Sequence, residues 1–205
     1  MTHLYYIHDP MCSWCWAFRP AHAALLKRLP HDMTHSRLLG GLAPDSDQPM
    51  PEAMRESLQA TWRRIQEKLP ETRFNFEFWS RNTPRRSTYP ACRAVIAARQ
   101  LDASKDEAMT LAIQQAYYLQ ARNPSDNATL IELAGEIGLD RAAFKAALEH
   151  PQTHQALLSE IGQATRMGAR SFPSLVLHDG RSLWPVAVDY HSADTMLETI
   201  GMLLE

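Results

Sequence analysis

The chain has 205 residues, of which 45% are hydrophobic and 21% charged, values typical of a globular protein that buries a substantial core. The 21 Lys and Arg against 23 Asp and Glu give a net charge of −2. This balance argues against a nucleic-acid partner, because phosphate binding requires a basic excess. The apolar runs fall short of the roughly 20 residues that a membrane-spanning helix needs, so we expect no membrane partner.

The cysteine count and the first residues bear on the compartment. Three cysteines are too few, and odd in number, for a secreted scaffold held together by disulfides. Met1–Ile7 carries neither the basic stretch nor the long apolar run of a secretory signal peptide. A cytoplasmic location is therefore expected.

The first predicted elements are a short strand and a helix that carries a Cys-x-x-Cys pair. Leu4–Ile7 is an apolar run typical of a strand buried on both faces, and Asp9-Pro10 ends it. From Cys15 to about Leu29, the apolar residues recur near helical spacing. This pattern predicts Cys12 at or next to the N-cap of the helix and Cys15 one turn further in.

A second strand and a long helical region follow. Ser36–Gly41 is typical of a strand that glycine ends, and the Pro- and Asp-rich segment 44–51 marks a module boundary. Within the mainly helical region 52–167, the alternation in Phe74–Trp79 predicts either a strand or an extended connection packed on the core. The clearest helices there are Tyr89–Gln100 and Asp106–Gln120, and three more follow them. Ser125 or Asp126 is expected to cap the first of these three, and Asp140 the second.

The chain then returns to strands. Pro173–His178 predicts a strand, Asp179-Gly180 a two-residue hairpin turn, and Arg181–Val188 the returning strand. Pro185 inside that strand indicates an edge or a bulge. Ser192 is expected to cap a final amphipathic helix.

This order of elements indicates an α/β fold whose strands come from both ends of the chain. We predict one domain from residues 1–43 and 168–205, with residues 44–167 inserted into it as an all-helical domain.

The cysteine pair predicts thiol–disulfide chemistry. A thiolate is the attacking species in disulfide exchange, and the positive end of a helix dipole is expected to lower the pKa of Cys12. Residues i and i+3 on a helix lie close enough for a disulfide, so Cys15 is placed to attack a mixed disulfide at Cys12. Zinc would need two more ligands, and Cys92 stands alone, so no metal site is expected. Two inert buried cysteines are the other alternative, against which the solvent-facing position predicted for Cys12 argues.

Phe172-Pro173 opens the third strand and allows two interpretations. Proline can simply end the preceding helix and lack a donor at a sheet edge. Alternatively, a cis peptide bond here would pack against the cysteine pair and present the backbone of Phe172 to an extended substrate.

Three segments together resemble the thioredoxin-fold superfamily, and more specifically the DsbA-like family, in which helices interrupt that fold. They are His8–Phe18, Asn82–Ser87 and Gly168–Val176, and the similarity is greatest to the cytosolic, FrnE-like branch. The resemblance implies a nucleophilic Cys12, a resolving Cys15 and a cis bond before Pro173. It also implies contacts of the substrate with Ser13, Trp14, Phe172 and Pro173.

The sequence departs from this family at two places. Ser13-Trp14 brings no charge between the cysteines, where periplasmic DsbA has Pro-His and thioredoxin Gly-Pro. Tyr6 occupies a position, six before the first cysteine, that is often acidic in relatives and can relay protons to the second cysteine. His8 or Asp9 would substitute for that acid, or they are only polar groups at the strand end.

The predicted activity is dithiol–disulfide exchange on protein or small-molecule disulfides, with no resident cofactor. Glutathione is a candidate substrate or reductant, and a redox partner that recycles the pair is required but unidentified. Two alternatives remain: a glutathione-dependent enzyme like 2-hydroxychromene-2-carboxylate isomerase or kappa-class glutathione transferases, and a binding or chaperone module with a vestigial motif.

Three further features have a structural and a functional interpretation: Cys92, an arginine cluster and the aromatic residues beside the cysteines. Cys92 is interpreted as a small buried hydrophobe or as a third redox thiol. The loop cluster of Arg81, Arg85 and Arg86 is solvated, or it attracts an anionic substrate such as glutathione. Trp14 can belong to an apolar rim for peptide substrates, whereas Trp16 and Phe18 are expected to pack in the core.

Overall fold

The computed structural model describes all 205 residues and divides them into two compact units. The first unit combines residues 1–40 with residues 160–205, and the second comprises residues 41–159. All four strands belong to the first unit, and the second is helical. The predicted α/β class with inserted helices is confirmed. None of the helices combines the length and apolar composition that crossing a bilayer requires.

The first unit is built on one mixed sheet. Its strands are β1 (His3–His8), β2 (Thr34–Leu39), β3 (Ser174–His178) and β4 (Leu183–Val186). They lie in the order β2-β1-β3-β4, with β1 parallel to β2 and the other two pairs antiparallel. β1 is therefore central, and its C-terminal end leads directly into the cysteine segment.

Side-chain alternation along β1 supplies apolar residues to both faces of the sheet. On one face, α1 (Ser13–Leu26) and α9 (Asp194–Leu204) complete the main core. On the other, Ile7 packs with Leu38, Val176 and Ala164, the last from the end of α8 (Pro151–Arg166). The main core contains Leu4, Tyr6, Phe18, Leu25, Leu175, Leu177, Met196 and Ile200.

The second unit is a set of helices with an aromatic centre. Trp62 is 1% exposed, and rings from two other parts of the unit surround it. The helices are α2 (Glu52–Lys68), α3 (Phe78–Arg81), α4 (Tyr89–Leu101), α5 (Lys105–Tyr118), α6 (Asn127–Glu136), α7 (Arg141–Glu149) and the first part of α8. The surrounding rings are Phe74, Phe76, Phe78, Trp79, Tyr117 and Tyr118.

The aromatic segment Phe74–Trp79 is not a strand. Its residues form turns that lead into the four-residue α3, and the Asn75 side chain accepts a hydrogen bond from the Glu77 N–H at 3.0 Å. The alternation of apolar residues arises because the rings pack around Trp62, rather than on one face of a sheet.

The last hairpin is longer than the predicted two-residue turn. β3 ends at His178 and β4 begins at Leu183, so four residues connect the strands. The Asp179 carboxylate accepts hydrogen bonds from the N–H groups of Arg181 and Ser182, both at 2.7 Å, and thereby holds the wider loop. β4 is an edge strand, which confirms the interpretation of Pro185.

Several predicted ends differ by a few residues. α1 ends at Leu26 instead of Leu29, and β2 covers Thr34–Leu39 instead of Ser36–Gly41. Asp140 caps α7 as predicted, through a 2.8 Å bond from the Ala143 N–H. Asp126 is the N-cap of α6 without a side-chain capping bond, and Ala193 rather than Ser192 is the N-cap of α9.

Candidate active site

The turn between β1 and α1 fixes the position of Cys12. The Asp9 carboxylate accepts a 2.8 Å hydrogen bond from the Met11 N–H, and the Asp9 carbonyl accepts one of 3.0 Å from the Cys12 N–H. Cys12 is the N-cap of α1, with extended backbone angles (φ −82°, ψ 117°). The predicted location at the helix N-terminus is confirmed, and it places the sulfur where the helix favours negative charge.

Cys12 and Phe172, which are 160 residues apart in sequence, meet at the site. The Cys12 thiol donates a hydrogen bond to the Phe172 carbonyl at 3.3 Å. The Phe172–Pro173 peptide bond is cis, as the sequence resemblance implied. Cys12 is only 7% exposed, so the expectation of a solvent-facing residue is wrong: the approach of this carbonyl segment covers it.

Cys15 lies one helical turn further in and is completely buried. Burial raises the pKa of its thiol well above the usual value, and the hydrogen bond and charge of Cys12 raise it further. A hydrogen bond from the backbone of Asp9 offsets part of this rise. Both cysteines are free thiols, so the structure represents the dithiol state.

The residues between and after the cysteines differ in exposure. Ser13 is buried at the first position of α1, whereas Trp14 is half-exposed and meets the Tyr190 ring edge-on, with centroids 5.2 Å apart. Phe18 is fully buried, as expected. Trp16, like Trp14, is partly buried, and the Arg19 guanidinium lies 5.3 Å from its ring centroid, so it is less completely buried than Phe18.

A groove of about 250 Å³ lies beside Pro173. Its walls include Val176 from β3, Pro185 and Val186 from β4, and Val188 after β4. Ser171 and Ser174 also line it, so the groove beside Pro173 offers both polar and apolar surface to a substrate.

Sequence reasoning missed one aromatic residue of the site. Tyr190 lies in the loop before α9, and its ring is 5.6 Å from that of Phe18. Burial raises its pKa, and the charges of Cys15 and Cys12 add to the shift, so its hydroxyl stays protonated near the sulfurs. A single tyrosine in a loop carries no sequence signal for this role.

The sequence singled out Tyr6 only as a departure from the family. Its ring stacks on His8 at a centroid distance of 4.9 Å and lies tilted against His22 at 4.0 Å. Burial raises the pKa of its hydroxyl, and a hydrogen bond with Cys15 adds to that rise. Tyr6 is 6% exposed. Asp9 holds the turn between β1 and α1 through its hydrogen bonds with Met11 and Cys12.

The remaining candidates belong to the helical unit. Cys92 is fully buried in α4, consistent with the interpretation as a small hydrophobe. The arginine cluster is largely paired: Arg81 with Glu77 at 3.1 Å and Arg85 with Asp126 at 2.6 Å. No group of three or more His, Cys, Asp or Glu side chains is arranged to hold a metal ion.

With this geometry established, comparison with known proteins identifies the family. The family model described as DSBA-like thioredoxin domain matches residues 6–201. The chain belongs to the DSBA-like thioredoxin domain family. The predicted family, fold and enzyme class, a thiol–disulfide oxidoreductase, are therefore confirmed, whereas the FrnE-like branch stays a prediction.

Two solved structures align with this chain over nearly its whole length. A proposed protein disulfide isomerase from Nitrosomonas europaea has 25% identity and a TM-score of 0.86, covering 99% of this chain and 97% of its own. The cytosolic disulfide reductase DsbM from Pseudomonas aeruginosa, in a structure with GSH, has 25% identity and a TM-score of 0.77, with 98% of each chain covered. A search of curated proteins gives no match.

Proposed function

We propose that this DsbA-like protein exchanges disulfides through Cys12 and Cys15, acting mainly as a reductase of protein or small-molecule disulfides. The observation that carries the proposal is the asymmetry of the pair: Cys12 is the N-cap of α1 and contacts the Phe172 carbonyl, whereas Cys15 is fully buried one turn below. One sulfur is thus placed to meet a substrate, and the other to meet only its neighbour.

The reaction follows from these two positions. The Cys12 thiolate attacks a substrate disulfide, forming a mixed disulfide and releasing one substrate thiolate. Cys15 then loses its proton and attacks the Cys12 sulfur, which forms the Cys12–Cys15 disulfide and releases the second thiolate. Two electrons pass from the enzyme dithiol to the substrate, and two equivalents of a reducing thiol restore the pair.

Four residues are proposed to position the substrate. When Cys12 forms a mixed disulfide, its hydrogen bond to Phe172 is lost, and the Phe172 backbone becomes available to an extended peptide. Pro173 borders the groove of about 250 Å³, Trp14 offers a half-exposed ring, and Ser13 is the neutral neighbour of the nucleophile.

The proposed direction, electron source and location rest on similarity. The DsbM structure that covers 98% of this chain is that of a cytosolic disulfide reductase with GSH. We propose a glutathione-type thiol as the electron source and the cytosol as the location. A reducing compartment keeps such a pair in the dithiol form.

The first test is insulin-disulfide reduction with glutathione as the electron source. Wild type is expected to reduce insulin. Cys12→Ser is expected to lose all activity because the remaining thiol of the pair, Cys15, is buried and does not meet a substrate. Cys15→Ser is expected to accumulate mixed disulfides detectable by mass spectrometry. Cys92→Ala is the matched control, since it removes the third thiol, which is buried in the helical unit. Full activity of Cys12→Ser would sink the proposal.

The same variants separate the glutathione-dependent isomerase or transferase alternative. If Cys15 is dispensable and Cys12→Ser keeps full activity on a glutathione-conjugated substrate, the chemistry is not dithiol exchange.

A further inference from the structure

Cys15 presents a chemical difficulty that its position creates. Under the proposed function, on which this inference rests, its sulfur must carry negative charge each time the Cys12–Cys15 disulfide forms or breaks. The residue is nevertheless 0% exposed, so water does not solvate that charge. A buried thiolate of this kind needs donors from the protein.

One side chain of β1 lies against the same stripe of α1 as Cys15. Cys15, Phe18 and His22 follow each other at i, i+3 and i+7, and so line one side of the helix. The Tyr6 ring is 6.0 Å from Phe18 and 4.0 Å from His22, and its hydroxyl is a hydrogen-bond partner of Cys15. Tyr6 therefore packs against the side of α1 that carries Cys15.

The hydroxyl of Tyr6 stays protonated in this environment. Burial raises its pKa well above the usual value, and negative charge on Cys15 raises it further, whereas the Arg37 guanidinium opposes the rise only partly. Tyr6 can thus donate to the sulfur but does not itself become an anion. Other titratable or charged groups around the site come from α1, β1, β2 and two loops: Cys12, His22, His8, Arg37, Asp9 and Tyr190.

We infer that Tyr6 is a catalytic residue whose hydroxyl donates a hydrogen bond to the Cys15 sulfur and stabilises it as a buried thiolate. When a thiolate attacks Cys12 of the oxidised enzyme, it forms a mixed disulfide with Cys12, and the Cys12–Cys15 bond breaks with its electron pair going to Cys15. Hydrogen bonds from the Tyr6 O–H and the Asp9 backbone stabilise the resulting Cys15 thiolate. When the disulfide forms, the same donors hold the Cys15 thiolate before it attacks. Tyr6 keeps its proton in both directions.

The experiment separates the two sulfurs kinetically. A reduced enzyme mixed with excess chromogenic aromatic disulfide releases one equivalent of chromophore when Cys12 attacks and a second when Cys15 closes the ring. Tyr6→Phe is expected to leave the first rate unchanged and to slow the second about threefold near pH 7. Losing the donor lowers the thiolate fraction about tenfold, and the higher nucleophilicity of a more basic thiolate recovers part of that loss.

The neighbouring tyrosine supplies a matched control. Tyr5 follows the alternation of β1 to the opposite face of the sheet and is partly buried there. Tyr5→Phe removes the same hydroxyl from the same strand and is expected to leave both rates at their wild-type values. A wild-type second rate in Tyr6→Phe would overturn the inference on Tyr6 while leaving the proposed function intact. Release of only one equivalent by wild type would instead overturn the proposed function.

A second substitution tests the hydrogen bond without removing it. 3-Fluorotyrosine at position 6 keeps the hydroxyl and makes it a stronger donor, so the second equivalent is expected to appear faster than in wild type. A role limited to packing predicts no acceleration, and a slower second step would contradict the inference. The 3-fluorotyrosine variant also provides the test on its own if Tyr6→Phe does not fold.

Discussion

Cys12 and Cys15 differ in their surroundings more than their spacing suggests. Cys12 is 7% exposed, and its thiol donates a hydrogen bond to the carbonyl of Phe172, whereas Cys15 has no exposed surface. The difference follows from their places on α1: Cys12 is the N-cap, where the helix begins at the end of the sheet, whereas Cys15 is the third residue of the helix and faces the core. The asymmetry assigns the two proposed roles without any charge in the Ser13-Trp14 pair.

His22 leads to a prediction about stability at low pH. Burial lowers its pKa to about 3, and the charges of Arg37 and His35 add to the shift. The unfolded chain takes up a proton at this residue as the pH falls through 6.5, whereas the folded protein stays unprotonated there until about pH 3. Stability contributed by the neutral ring is therefore lost progressively between these values as the pH falls.

We expect this loss to appear in urea unfolding. Between pH 7.5 and pH 5, the free energy of unfolding should fall about 2 kcal/mol more in wild type than in His22→Phe, which keeps a ring but does not titrate. Equal losses in the two proteins would show that His22 is protonated in the folded state as easily as in the unfolded one.

The end of β2 determines how closely the segment that contacts Cys12 can approach. Gly40 follows β2 and donates its N–H to the His8 carbonyl at 2.7 Å. A Cβ at this glycine would overlap the ring of Phe172. The missing side chain therefore lets Phe172 approach and bring its carbonyl to the Cys12 thiol.

Gly40→Ala is accordingly expected to displace Phe172, with a loss of stability of about 1–3 kcal/mol from overpacking. Insulin reduction should fall with it, measured beside urea unfolding. Gly201→Ala is the control: a Cβ there meets nothing within 4 Å, and alanine favours the helix, so neither quantity should decrease. Wild-type activity in Gly40→Ala would show that the Phe172 contact does not matter for turnover.

Helices and strands could be predicted where the spacing of apolar residues has only one structural explanation. β1, β3, α4 and the capped α7 have periodic apolar residues bounded by clear end signals, and they lie within one or two residues of their predicted positions. Phe74–Trp79 alternates for a different reason, because its rings surround Trp62 from another helix. Local sequence cannot distinguish a strand face from a ring cluster around one buried side chain.

The redox state of the Cys12–Cys15 pair and the stability of the folded protein are linked. A protein whose reduced form is the more stable one is an oxidant, and one whose disulfide form is the more stable is a reductant. DsbA and thioredoxin illustrate the two cases, with reduction potentials of about −120 and −270 mV. The proposed reductase should therefore be more stable when Cys12 and Cys15 are joined.

We expect the oxidised protein to unfold at a higher urea concentration than the dithiol protein. The difference in unfolding free energy should match the reduction potential measured in glutathione buffers, with about 1.4 kcal/mol for each 30 mV. Greater stability of the dithiol form would reverse the proposed direction while retaining disulfide exchange.

From the amino-acid sequence it was possible to predict the family, the α/β class with its helical insertion, and the helix N-terminus that holds Cys12. Those conclusions rest on local spacing and on the order of elements, which a chain carries in one dimension. Only the tertiary structure revealed that Cys12 is nearly covered, that Gly40 admits Phe172, and that Tyr6 and Tyr190 lie beside the sulfurs. These are contacts between residues far apart in the chain, and the packing of β1, α1 and the loops that follow the sheet creates them.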